Sequence, residues 1–288
     1  MAAKTVFLHI GLPKTGTTSI QHALRQSGDF LSRNGIHYAS AGSDSTLFDD
    51  PGHHLLAIYY MKDRWPELKI PFDPRAVDTS WDRLVEEIRD SQYSHVFVSS
   101  EWFAFDVYRH EDISDIRAKL ADFEVRIVVV TRDIVELLNS LYSQRVRDGY
   151  VGTADEYVSL AWPHLDWGGL VQRWIDVFSR ENVIVIKYHE LSESTFVLDF
   201  LTRLKTPIAD RESLRPPKFD NRRLPNGVVQ ALLEVNRSQA SQDRKQALVW
   251  AIVTLCRDVP FIKGTAQFLS PEVEQRLRQH CREAPLPP

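Results

Sequence analysis

Thr5-Val-Phe-Leu-His-Ile-Gly-Leu-Pro-Lys-Thr-Gly-Thr-Thr-Ser-Ile20 reads as a strand, a tight loop and a helix start in direct succession. Residues 5–10 are apolar and β-favouring. Gly11 to Gly16 form a short turn bounded by glycines, and Ile20, Ala23 and Leu24 then follow helical spacing. A turn of this kind leaves the first amides of the helix pointing outward, where the helix dipole favours an anion. Lys14 adds a full positive charge, and Thr17 and Thr18 add hydroxyl donors. The stretch therefore predicts a phosphate cradle at the end of a strand. The plain alternative is a Gly-Pro-Lys turn that only joins strand to helix.

The common nucleotide-triphosphate loop reads G-x-x-x-x-G-K-[ST], with lysine directly after the second glycine and a hydroxyl on magnesium. Here the spacing from Gly11 to Gly16 is kept, but Thr17 stands in the lysine position and the lysine lies at 14. A lysine inside the loop leans over the anion instead of reaching along the helix. Pro13-Lys14-Thr15-Gly16-Thr17-Thr18 resembles the 5′-phosphosulfate loop of sulfotransferases that use 3′-phosphoadenosine-5′-phosphosulfate (PAPS). The longer string from His9 to Gln21 is similar to a bacterial branch of that superfamily. The resemblance implies that Lys14 and the loop amides hold the phosphosulfate, and that PAP is the product.

A second stretch is legible without that likeness. Glu124-Val-Arg-Ile-Val-Val-Val-Thr-Arg132 is a near-continuous apolar run, as a central parallel strand should be. A helical pattern follows over 133–147, with Asp133 placed as its N-cap. Arg132 stands at the strand's carboxyl end, where open α/β sheets bind ligands. Ser140 lies two turns further on. An arginine in that position is otherwise a surface ion pair. In PAPS enzymes an arginine and a serine at this spacing grip the 3′-phosphate, and Arg132 and Ser140 match that pattern.

Sulfuryl transfer to a hydroxyl needs a group that accepts its proton. Ser94-His-Val-Phe-Val-Ser-Ser-Glu101 is a third apolar strand, and Glu101 beyond it is the candidate base. It resembles loosely the glutamate of glycan-modifying sulfotransferases, the flanking residues being different. The alternative is a helix-capping acid. His53 and His54, in a loop before the helical stretch 55–61, are candidates for the acceptor side; the competing reading is two solvated surface histidines. No Cys or carboxylate cluster accompanies them at ligand spacing, so no metal is expected. His9 ends the first strand as a packed residue with local hydrogen bonds.

The segment 211–225 is rich in proline and arginine. The bacterial branch often carries an Asn-x-Ser-Leu stretch here, and Asn221-Arg-Arg-Leu224 departs from it by giving arginine where a serine is usual. Arg222 is a further candidate for the 3′-phosphate, since arginine grips phosphate bidentately; a solvated loop arginine is the equal alternative. Phe261-Ile-Lys-Gly264 is a weaker candidate for a second phosphate-facing loop. The aromatics Trp65, Trp81, Trp102, Phe103, Phe105, Trp162 and Trp167 suit a carbohydrate, lipid or phenolic acceptor, or simply a core.

The 288 residues are 43% hydrophobic and 26% charged, ordinary values for a globular protein. A net charge of −4 argues against nucleic acid as a partner and against anionic membranes. No apolar run approaches the roughly 18 residues of a membrane span. The first strand begins too early for a signal peptide, and Cys256 and Cys281 provide no disulfide framework. A cytoplasmic setting is expected; the oligomeric state is not readable.

Strands at 5–10, 35–39, 94–100, 124–131 and 182–188 alternate with helical segments. The expected fold is α/β, a P-loop-like three-layer sandwich with a central parallel sheet and helices on both faces. One domain spans 1–288, with 1–190 as the α/β core and 191–288 as a mostly helical extension. Residues 62–80, with three prolines, read as an irregular insertion. The resemblance then implies a PAPS-dependent sulfotransferase acting by in-line displacement on an acceptor hydroxyl, of a carbohydrate or other small molecule. A magnesium-dependent kinase with an aberrant loop and a non-catalytic nucleotide binder are the other classes.

Overall fold

All five expected strands form in the computed structural model, which describes residues 4–44, 46–48, 51–64, 71–161, 166–206, 208–209, 211, 213–215, 224–258 and 267–283. In chain order the elements begin with β1 (Thr5–His9), α1 (Thr17–Gln26), α2 (Gly28–Arg33), β2 (Ile36–Tyr38), α3 (His54–Met61), α4 (Pro74–Asp78), α5 (Ser80–Asp90) and β3 (His95–Ser99). They continue with α6 (His110–Lys119), β4 (Glu124–Thr131), α7 (Ile134–Arg147), α8 (Ala154–Ala161), α9 (Trp167–Phe178), β5 (Val183–Lys187) and α10 (Phe196–Arg203). Three helices close the chain: α11 (Asn226–Arg237), α12 (Gln242–Asp258) and α13 (Pro271–Glu283).

The strands make one parallel sheet in the order β2-β3-β1-β4-β5. From β1 the chain leaves towards β2, and from β4 it leaves towards β5 on the other side. The carboxyl ends of β1 and β4 therefore flank a topological switch point, the usual ligand crevice of open α/β sheets. The period-2 alternation of strands assigns side chains to faces. Phe7, Phe97, Tyr38, Val128, Val130 and Ile186 pack with α1, α2 and α10 through Ile20, Leu24, Phe30, Phe200 and Leu201. On the opposite face α9 lies against β4 and β5, with α6 packed on α9. The expected three-layer, P-loop-like α/β architecture is thus formed.

Internal contacts group the described residues into two units. One contains the residues up to Thr131 and those from Trp167 to Arg215, and it holds the whole sheet. The other contains Arg132 to Asp166 and Leu224 to Glu283. In that unit Val135, Leu138, Tyr142 and Val146 of α7 form a core with Val229, Leu232 and Leu233 of α11 and with Leu277 of α13. Asn139, buried on α7, accepts from the Phe268 amide at 2.6 Å, and Asn236 donates to the Val146 carbonyl at 2.7 Å. α10 groups with the sheet, and α7 and α8 with the later helices.

The stretch read as an irregular insertion contains α4. Asp73 caps it by accepting from the Arg75 amide, and Pro74 occupies the first helical turn. Asp-Pro is a helix-start signal that the count of prolines obscured. The two histidines are not solvated either. His53 and His54 are 0% and 1% exposed, so the surface alternative for them falls. His53 sits between two backbone groups: the Ser99 amide donates to its Nδ1 at 3.0 Å, leaving Nε2 to donate to the Ala39 carbonyl at 2.9 Å.

Candidate functional site

The loop after β1 is shaped by two left-handed residues, Lys14 at φ 61° and Gly16 at φ 84°. Thr15 is buried, and its hydroxyl donates to the Leu12 carbonyl at 2.6 Å, closing the turn from inside. The helix α1 that follows has Gly16 as its N-cap, no side-chain cap hydrogen bond and no acidic residue in its first turn. The dipole's positive end is therefore not answered by a cap from the chain itself. Thr17, the first helical residue, is 5% exposed. Its Oγ1 finds no hydrogen-bond partner among the described residues. A buried unsatisfied hydroxyl costs about 1–3 kcal/mol, a cost that a bound acceptor relieves.

The backbone leaves no room to spare here. A Cβ on Gly11 would stand 2.5 Å from Thr17 Oγ1 and 3.0 Å from the His9 ring. A Cβ on Gly16 would stand 2.4 Å from the ring of Phe196, the first residue of α10. The loop, the capless helix and the orphaned Thr17 hydroxyl together fit a phosphate- or sulfate-bearing group.

Next to the loop, across the β1–β3 pairing, lies a buried polar network. His9 pairs through Nδ1 with Ser99 Oγ at 2.9 Å, and the two residues are in register. Gln21, fully buried on α1, donates from Nε2 to Ser99 Oγ at 3.2 Å, to the Ser99 carbonyl at 3.3 Å and to Glu101 Oε2 at 3.4 Å. Burial pushes the His9 pKa down to about 3, so the ring is neutral. His53 is lowered to about 4, burial outweighing its hydrogen bonds to Ala39 and Ser99.

Glu101 is half-buried and opens a short 3₁₀ turn, Glu101–Ala104. Ser100 caps that turn by accepting from the Trp102 amide. Its hydroxyl also pairs with His54 Nδ1 at 2.8 Å, and the His54 ring lies against Phe48 and Trp102. His54, Trp102 and Phe48 thus form an aromatic cluster beside the turn that Glu101 opens, while Trp81 and Phe103 are core residues, 1% and 0% exposed. Gln21 and Ser99 had no place in the sequence reading of the site. The available signal was a glutamine one turn after Thr17 on the apolar, inward face of α1.

Arg132 follows the last residue of β4, and Asp133 caps α7 by accepting from the Val135 and Glu136 amides. The Arg132 side chain is 5% exposed and donates from Nε to Glu136 Oε2 at 3.3 Å. Its partner Glu136 is 46% exposed, so the pair lies at the surface with the arginine side chain tucked beneath. Ser140 stands one turn beyond Glu136 on the same face of α7. Arg222, Trp65, Trp162 and the 261–264 stretch lie outside the described residues. Among the described residues no group of three or more His, Cys, Asp or Glu stands close enough to hold a metal ion. Among them, too, no helix is long and apolar enough to cross a membrane.

The parallel sheet in the order β2-β3-β1-β4-β5, with helices around it, defines an α/β protein of the P-loop-like class. Residues 4–196 match the family model described as the sulfotransferase domain, and the chain belongs to that family. Among solved structures it is similar to a sulfotransferase from Alicyclobacillus acidocaldarius, at 17% identity over 88% of this chain and 96% of the other, with a TM-score of 0.47. It is also similar to the sulfotransferase domain from the curacin biosynthetic pathway, at 14% identity over 99% of both chains, with a TM-score of 0.43. No curated protein matches the chain.

Proposed function

We propose that the protein transfers a sulfuryl group from PAPS to an acceptor hydroxyl, with a carbohydrate as the leading acceptor class. The observation that carries this reading is the anion cradle of residues 11–18, with its capless helix and orphaned Thr17 hydroxyl, inside a sulfotransferase-family domain. PAPS, when bound, supplies a sulfuryl group already activated by a phosphate leaving group.

The chain's own residues have distinct tasks. Pro13 and Gly16 set the loop's path, and the amides of Thr15 to Thr18 meet the anionic oxygens. Lys14 answers the charge that grows on the departing phosphate. Glu101 takes the proton of the attacking hydroxyl, the rings of Trp102 and Phe48 beside its turn offering faces against which a sugar ring stacks. Within that group His54 is the acceptor-side histidine, and His53 supports it from behind. Arg132 and Ser140 take the 3′-phosphate, in keeping with the resemblance. The reading needs no metal, because Thr17 stands where magnesium-presenting loops carry lysine.

Calorimetric titration with PAP, adenosine 5′-phosphosulfate and ATP-magnesium tests it without an identified acceptor. Micromolar PAP binding without metal, weakened by loss of the 3′-phosphate, is the expected result. Preference for ATP-magnesium would replace it with the kinase reading, and silence from all three with a fold that lacks the chemistry.

A further inference from the structure

Gln21 is the one polar side chain of the α1 inward face whose donor atom reaches three acceptors on the far side of the β1–β3 pair. Two of these belong to Ser99, the last residue of β3, and the third is Glu101 Oε2. Gln21 stands one helical turn after Thr17, so the first turn of α1 faces the anion cradle and the second faces the acid. Ser99 is itself held from the other side by His9, the last residue of β1. His9, Gln21 and Ser99 are all 0% exposed, and Glu101 at the network's outer end is half-buried.

We propose that Gln21 is a positioning residue, which fixes the Glu101 carboxylate relative to the anion-binding helix through its Nε2 bridge from Ser99 to Glu101. This rests on the sulfotransferase reading and on Glu101 as its proton acceptor. A primary amide suits the task. It donates without carrying charge, so it orients a carboxylate without pairing it with a cation, which would make it a weaker base. Its fixed end is the backbone carbonyl at the tip of β3, so the carboxylate is referred to the sheet and the helix at once. In the step it serves, water or another hydroxyl forms a bond to sulfur and the bond from sulfur to the phosphate oxygen breaks. The proton goes to Glu101, and PAP leaves.

The test uses the full-length protein, PAPS and water as the acceptor, with PAP release as the readout. Gln21→Met keeps the length of the side chain and removes the donor. It should lower kcat at least about tenfold, the effect of one hydrogen bond to a charged group. KM for PAPS and calorimetric PAP affinity should stay within about twofold. Gln21→Glu keeps the polarity, sets a second carboxylate against Glu101, and should lower kcat further.

The deciding measurement is a double-mutant cycle with Glu101→Gln. A residue that acts through Glu101 has no further effect once the carboxylate is gone, so Gln21→Met should leave the Glu101→Gln rate unchanged. Independent, multiplying losses would overturn the inference, and so would a Gln21→Met rate near that of the unaltered protein beside a disabled Glu101→Gln. Full turnover by Glu101→Gln would instead overturn the assignment of Glu101 as base, and this inference with it.

Discussion

The ring of Phe196 stands so close to Gly16 that a Cβ there would meet its Cζ at 2.4 Å. Gly16 also holds a left-handed φ of 84° as the N-cap of α1. Gly16→Ala therefore suffers twice. Left-handed strain of about 1–2 kcal/mol adds to overpacking of about 1–3 kcal/mol. Urea unfolding should show the combined loss. Phe196→Leu in the same background should return the packing part and leave the backbone part.

Thr17→Val separates ligand binding from stability. The hydroxyl it removes is buried and has no partner among the described residues, so the ligand-free protein should hold or gain thermal stability. The rise in melting temperature on adding PAP should shrink. If PAP protects both forms equally, Thr17 does not meet the anion.

Lys14→Ala should abolish PAPS turnover and lower PAP affinity by at least about tenfold, the worth of one charge-assisted contact. Near-normal turnover in this variant would remove the phosphosulfate assignment from the loop.

Arg132→Ala should weaken PAP much more than adenosine 5′-phosphate, compared side by side by calorimetry. Equal losses for both ligands would assign Arg132 to something other than the 3′-phosphate.

Two buried histidines set the response to acid. Burial lowers His9 to about 3 and His53 to about 4, whereas an unfolded histidine titrates near pH 6.5. Between these values the unfolded chain binds more protons than the folded one. Stability is then full above about pH 6.5 and falls as the pH drops towards 4, by up to about 1.4 kcal/mol per pH unit for each histidine. Denaturant midpoints at pH 7 and pH 5 should show this, and His53→Asn should flatten the slope.

The strands were legible because buried parallel strands are apolar throughout; β4 spans Glu124–Thr131, the bounds the run itself suggests. The turn between β1 and α1 was legible because its glycines are local. What the sequence concealed depends on distant contacts. Nothing near His53 in the chain tells that Ala39 and the tip of β3 will enclose it. Nor does anything near Gln21 tell that Ser99 and Glu101 will come within reach of its amide. The α4 helix was concealed by composition alone, its Asp-Pro start hidden among prolines that read as disorder of pattern.

The central place of β1 also governs when the protein can take shape. First in chain order among the five sheet strands described, β1 has no partner until His95–Ser99 has been synthesised, and it lacks its second until Glu124–Thr131 follows. A nascent chain shorter than this carries its anion loop on a strand with one or both edges bare. Such edges invite pairing with other chains. The earliest-encoded part of the site is thus among the last to be secured, and premature termination before β4 should yield aggregation-prone fragments rather than a smaller working enzyme.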